Sequence, residues 1–290
     1  MVYGGLLLAM FFWGLSFIGT KFCLNNSLQP ISIVLIRLIL SSAFLLVLGY
    51  FFHHLVKIKR EHIKWFVLLA FFEPFLYFIG ETYGLTLVSA TIASIIISTI
   101  PLFVPFMAWL IFKEKVSFFN ISGIVISIMG VSLTMLNGNL EFVVSSKGLL
   151  LMLLAVVSAL GYTMVLRRLA NEYSALTIIT YQNLLGIPFF IPLFFLLDFS
   201  QFSFSVFTSD LWLVLLLMSL FPSSLSYMFY TYSISKIGMS KTSVFTNLIP
   251  IITALASFVL FNEVMTLVKI IGIFIVIFGL LLSQYGKKET

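Results

Sequence analysis

The chain has 290 residues, 61% of them hydrophobic and only 9% charged, with a formal net charge of +6. A soluble domain carries roughly 25% charged residues, and a globule of this length could not cover so much apolar surface, so composition excludes a soluble protein and points to an integral membrane protein. The single cysteine, Cys23, excludes an intrachain disulfide and offers no metal framework.

Crossing hydrocarbon takes about 20 apolar residues per helix, and ten stretches qualify in chain order: 2–22, 30–52, 64–83, 88–111, 118–136, 147–167, 175–197, 211–232, 240–261 and 266–285. The first lacks a basic start and a small-residue cleavage pattern, so it reads as a retained helix, not a signal peptide. It carries Trp13 and Ser16; the second carries Arg37, and the third carries Glu73, Pro74, Tyr77 and Glu81. The fourth holds Ser94, Ser98, Pro101 and Pro105, and the fifth Gly123 and Gly130. The sixth brings Tyr162 and Thr163, the seventh Gln182 and Asn183, and the eighth Pro222, a serine cluster, Tyr227 and Tyr230. The ninth carries Ser243, Asn247 and Pro250, and the tenth Gly272 and Gly279. No connection is long enough for a separate soluble domain.

Lys and Arg placement predicts orientation. With the N-terminus cytoplasmic, inner loops hold twelve of the sixteen basic residues: Lys57, Lys59, Arg60, Lys64, Lys113, Lys115, Arg167, Arg168, Lys236, Lys241, Lys287 and Lys288. Asp198, Asp210 and Glu141 then fall outside. Both termini are expected in the cytoplasm, and the cytoplasmic membrane is the expected location. Because the charge follows topology and forms no basic face, nucleic-acid binding is excluded.

Pro101, Lys113, Glu114, Gly123 and Gly130 are each echoed 149 residues on, by Pro250, Asn262, Glu263, Gly272 and Gly279. The chain therefore reads as two five-helix repeats, 1–137 and 147–286, forming one all-α membrane domain. Five helices is an odd number, so the second copy enters from the opposite side. The repeat is then inverted about an axis in the membrane plane. Glu114 and Glu263 are expected to favour the N-terminal dipoles of the helices that follow them.

Four features together resemble the ten-helix EamA group of the drug/metabolite transporter superfamily. They are Phe12-Trp13-Gly14-Leu15-Ser16-Phe17, the intramembrane Arg37, the run from Ile100-Pro101-Leu102 to Phe112-Lys113-Glu114 followed by Gly123 and Gly130, and its repetition through Pro250, Asn262-Glu263, Gly272 and Gly279. Lys113 and Asn262 stand where the family's motif has Gly before the glutamate. The resemblance covers essentially the whole chain. It implies a 5+5 inverted-repeat bundle that moves small metabolites, often amino acids, usually outward.

Charges at membrane depth cost roughly 2.5–3.5 kcal/mol near the centre on insertion scales, so each needs a reason. Glu73, Tyr77 and Glu81 recur at four-residue spacing, which puts them on one helix face. Counted from the ends of their helices, Glu73 lies near mid-membrane, while Glu81 and Arg37 share a shallower level. Glu73 can bind a substrate ammonium or exchange a proton; its structural alternative is a protonated carboxyl hydrogen-bonded to a neighbouring helix. Arg37 and Glu81 read as a gating or structural ion pair. Trp13, Ser98, Asn247, Tyr162 and Tyr227 complete the candidate substrate site, since aromatic rings and small polar groups suit a mid-sized, partly apolar solute.

The expected function is a secondary transporter exporting a small metabolite, with an amino acid or other amine-bearing solute favoured, by alternating access around a midplane cavity. No phosphate-cradling loop is present, so a proton or solute gradient must drive it. No cofactor and no metal is expected, and the chain reads as a monomer or weak homo-oligomer. A lipid-handling scramblase is the alternative. An intramembrane enzyme is disfavoured, because all three histidines (His53, His54, His62) sit in one loop and both aspartates lie outside the bilayer.

Overall fold

The computed structural model describes residues 2–52, 55–103, 107, 117–136 and 144–285, and among these no strand occurs. Six helices are long and apolar enough to cross a membrane: α1 (Val2–Asn25), α2 (Pro30–Phe52), α3 (Arg60–Leu87), α6 (Ser146–Leu169), α7 (Ala175–Gln201) and α8 (Ser209–Ile237). Four shorter apolar helices occupy the remaining predicted stretches: α4 (Ala90–Phe103), α5 (Phe118–Thr134), α9 (Phe245–Phe261) and α10 (Leu267–Ser283). The protein is a multi-pass, all-helical membrane protein. Expectations at His53, His54, Pro105, Lys113, Glu114 and Lys115 lie outside the described residues.

Capping residues set where the helices begin. Ser89, Ser117, Ser145, Ser174 and Thr208 each stand in extended backbone and accept a hydrogen bond from the N–H three residues on. Each satisfies one of the orphan donors of a helix N-terminus. The chain can thus turn within a few residues and re-enter apolar surroundings.

Prolines, which lack an N–H, mark wide turns inside the long helices. In α3 the six residues Phe71–Leu76 form a wide π-type turn, Glu73 is extended (φ −146°, ψ 118°), and the Glu73–Pro74 peptide is cis. In α8 the six residues Phe221–Ser226 also form a π-type turn, around Pro222 but with no extended residue, and in α7 a π-type turn over Phe194–Asp198 follows Pro188 and Pro192. Pro74 itself marks a local irregularity in α3, while helical periodicity on both sides of each turn is intact and gives no sign of its width.

One helix pair packs through backbone. A Cβ on Gly123 of α5 would lie 2.5 Å from the Gly279 carbonyl oxygen and 2.6 Å from the Ser283 nitrogen; one on Gly279 would lie 2.7 Å from the Ser127 nitrogen. Gly130 and Gly272 approach in the same way, with the Gly130 position 2.9 Å from the Gly272 oxygen. Ser127 Oγ donates to the Val276 carbonyl at 3.2 Å, and Asn120 Nδ2 donates to the Ser283 carbonyl. Small residues that admit such close approach are the usual glue of helices in lipid, where no hydrophobic force acts between them.

Hydrogen bonds gather the connections at two ends. At one end Lys21 Nζ donates to the Leu85 and Val88 carbonyls (2.7 and 3.2 Å), and Asp198 Oδ2 accepts from Ser32 N and Oγ (2.7 and 2.9 Å). At the other, Tyr173 Oη accepts from Lys59 N at 3.1 Å and meets His62 Nδ1 at 2.8 Å, while Lys59 pairs with Glu172 at 3.4 Å. There Arg168 lies over the Trp65 ring, 4.4 Å from its centroid.

Candidate functional site

Between the two ends lies a cavity of about 830 Å³ of empty space, open mouth included. Its lining comes from α1 (Trp13, Ser16, Phe17), α2 (Arg37), α3 (Glu73, Tyr77, Phe78, Glu81) and α4 (Ile97, Ile100, Pro101). From the second half come Ala159, Tyr162 and Thr163 of α6, Tyr227 and Tyr230 of α8, Met239 and Ser243 just before α9, and Thr246 and Ile249 of α9. The glycine-packed pair α5 and α10 contributes no lining residue. Seven of the nine residues singled out in sequence therefore meet in one space: Trp13, Arg37, Glu73, Tyr77, Glu81, Tyr162 and Tyr227.

Each charged wall group has partners of a particular kind. Glu73, 5% exposed, accepts a hydrogen bond from the Tyr227 hydroxyl, so the turn in α3 is tied to the helix that follows the turn in α8. Arg37, 2% exposed, donates to three hydroxyls: Ser223 (3.2 Å from Nε, 3.0 Å from Nη2), Ser16 (3.3 Å) and Thr20 (3.4 Å). Arg37 lies 4.8 Å from the Phe78 ring centroid. Glu81 attracts the guanidinium across the cavity without the direct ion pair read from helix depth. The Arg37 hydrogen bonds go instead to Ser16, Thr20 and Ser223.

Two expected site residues stand away from the lining. Ser98 is buried and returns its hydroxyl to the Ile95 carbonyl of its own helix at 2.7 Å, because α4 presents Ile97, Ile100 and Pro101 to the cavity instead. Asn247 is buried beside the lining residue Thr246, and neither amide atom has a hydrogen-bond partner among the described residues. Asn183 donates to Ser41 Oγ at 3.0 Å and to the Ser223 carbonyl at 3.1 Å, so it supports the serine that holds Arg37.

Aromatic rings close the walls. Trp13 packs against Tyr227 and Tyr230 with both centroids at 5.1 Å, and Tyr162 lies 6.3 Å from Tyr227. The Trp13 Nε1 donates to the Pro222 carbonyl at 3.2 Å, an acceptor available at the π-type turn of α8. Sequence reading missed Phe78, Ile97, Met239 and Thr246, which are ordinary apolar or hydroxyl residues; only tertiary placement marks them out. The result is one guanidinium and two carboxylates between aromatic walls, able to take a solute with ionic groups and an apolar body.

Outside the cavity, Glu263 does more than face the helix after it. Its carboxylate accepts from Ser89 Oγ (2.7 Å), Thr91 Oγ1 (2.8 Å), Lys269 Nζ (3.1 Å) and Ser257 Oγ. Burial pushes this carboxyl up, but the hydrogen bonds from Ser257, Ser89 and Thr91 and the charge of Lys269 outweigh it and hold it below the ordinary glutamate value.

The pattern of the EamA-like transporter family matches residues 1–136 and 146–285. An uncharacterized transporter of Archaeoglobus fulgidus is 27% identical over 95% of this chain and 95% of its own length. The uncharacterized transporter YetK of Bacillus subtilis is 29% identical over 77% of this chain and 69% of its own. A solved structure described only as a crystal structure of a protein shares the fold with TM-score 0.67 at 12% identity, covering 95% of this chain and 97% of that one.

Proposed function

The chain belongs to the EamA-like transporter family, and from that premise we propose that it is a secondary transporter exporting a small amine-bearing metabolite through the cavity between its halves. The observation that carries this reading is the joint lining of one buried space by Arg37, Glu73 and Glu81, contributed by helices of the first half, and by Tyr162, Tyr227 and Tyr230 of the second. Three ionisable side chains are costly at membrane depth unless they serve a pathway or a coupling step. Membership in this family and relatives named as transporters point to transport, not to an enzyme.

In this reading the ten helices form two inverted five-helix repeats, 1–137 and 147–286, that rock about the midplane. The π-type turns in α3 and α8 support it, as does the family match in two stretches. Glu73 binds the solute ammonium or carries the coupling proton. Arg37 and Glu81 present opposite charges at the other end of the cavity, and Trp13, Tyr77, Tyr162 and Tyr227 hold the apolar body. Lys and Arg placement puts both termini in the cytoplasm.

Counterflow in proteoliposomes loaded with a panel of amines, amino acids and organic acids tests the substrate class. Exchange confined to solutes without an amine would overturn it. Orientation is checked by cysteines at Arg168 and Ser205, which should react with an impermeant reagent from the inside and the outside respectively. The reverse result would invert the topology.

A further inference from the structure

The cavity runs to Met239 at the end of the molecule that carries the Lys59–Glu172 pair, but it stops short of the opposite end. Among the described residues, none of 85–91 or 257–269 lines it. Along their helices, Lys21 lies four residues past the lining residue Phe17, Leu85 four past Glu81, Thr91 six before Ile97 and Ser257 eight past Ile249. At 1.5 Å per residue these groups stand roughly 6–12 Å beyond the end of the cavity. They form a polar layer over it.

The carboxylate of Glu263 is the centre of that layer. It draws its partners from both halves of the chain: Ser89 and Thr91 open α4, Ser257 belongs to α9, and Lys269 to α10. Lys21 adds a tie between α1 and the carbonyls of Leu85 and Val88, at the C-terminal end of α3 where carbonyls lack intrahelical partners. This layer differs in kind from the α5–α10 seam, where backbone meets backbone and nothing can part without unpacking. Here Glu263 joins the halves through bonds that water can replace, as Asp198 does with Ser32 at the same end.

We propose that Glu263 is a latch: bound to Ser89 and Thr91 it closes the cavity at this end, and its release from α4 opens a path to that side. The proposal rests on the transport reading for its purpose but not for its test, which needs no substrate. A Cys23→Ser protein with a cysteine at Phe17 would be reconstituted in sealed vesicles, and its labelling by an impermeant maleimide added from the latch side would be timed. Glu263→Gln should speed labelling at least about tenfold, the effect of losing one or two hydrogen bonds to a charged acceptor. Ser89→Ala with Thr91→Val, which leaves Glu263 on Ser257 and Lys269, should do the same, and serves if Glu263→Gln fails to fold. In the converse experiment, cysteines at Ser89 and Glu263 joined by a short reducible cross-linker should slow labelling at Phe17, with recovery on reduction. Unchanged labelling in the folded latch variants would overturn the latch while leaving the transport reading standing. Loss of counterflow in an otherwise wild-type protein would do the opposite.

Discussion

The α5–α10 pair and the cavity helices α3 and α8 solve the same problem, how to bury helix surface in lipid, in opposite ways. In the pair, glycines let backbones touch, and two polar groups, Ser127 and Asn120, are satisfied across the seam. In α3 and α8 the helix itself is interrupted, and charged or hydroxyl-bearing side chains face an open space. The first arrangement has one geometry. The second leaves groups that a solute, a proton or water can engage, and it does so at the places where the helices are not regular. Rigidity and chemistry are thus assigned to different helices of each half.

Breaking the seam should have the largest effect. Gly279→Leu forces a side chain against the α5 backbone and should cost more than about 3 kcal/mol, since no flexible neighbour can yield. Folded protein recovered by size-exclusion chromatography in detergent should fall sharply, and a wild-type yield would show the seam to be looser than described. In the cavity, Glu73→Gln should leave folding intact yet reduce pH-driven accumulation about tenfold or more, the scale of one charge-assisted interaction. If Glu73 carries the proton, exchange survives; if it binds the ammonium, exchange weakens too. Retention of both activities would assign Glu73 to structure. A double-mutant cycle sharpens the picture of Arg37. Its coupling to Ser223 should exceed about 1 kcal/mol in stability and should exceed its coupling to Glu81, which acts on the guanidinium by charge without a direct hydrogen bond. The reverse order would restore the direct ion pair. Smallest of all, Tyr227→Phe removes one neutral donor from Glu73 and should change exchange only about threefold.

Much of this was legible in sequence because lipid imposes simple rules. Apolar length located the helices, and the cost of charge at depth drew attention to Arg37, Glu73 and Glu81. The 149-residue echo marked Gly123, Gly130, Gly272 and Gly279, all of which lie on the seam. Reading failed where a side chain's partner is set by tertiary contact. Ser98 and Asn247 have the right chemistry and the right depth, but Ser98 bonds back to its own helix and neither side chain is among the lining residues. Arg37 was matched to a carboxylate by depth alone, and depth says nothing about the hydroxyls of Ser16, Thr20 and Ser223. Glu263 was read against its own helix because its partners Ser89 and Thr91 lie more than 170 residues away.

The indole of Trp13 gives the cavity an optical voice. Its ring touches two tyrosines of the wall and its N–H rests on the Pro222 carbonyl, so its emission depends both on what fills the space and on the shape of the turn in α8. The chain has three other tryptophans, Trp65, Trp109 and Trp212. Of these, Trp65 is covered by Arg168, and Trp212 stacks at 5.0 Å on Phe207 in a distant loop. A variant in which those three are phenylalanine would carry a single tryptophan, on the wall of the cavity. Solute arrival could then be followed as a colour shift in unlabelled protein, with no radioactive substrate.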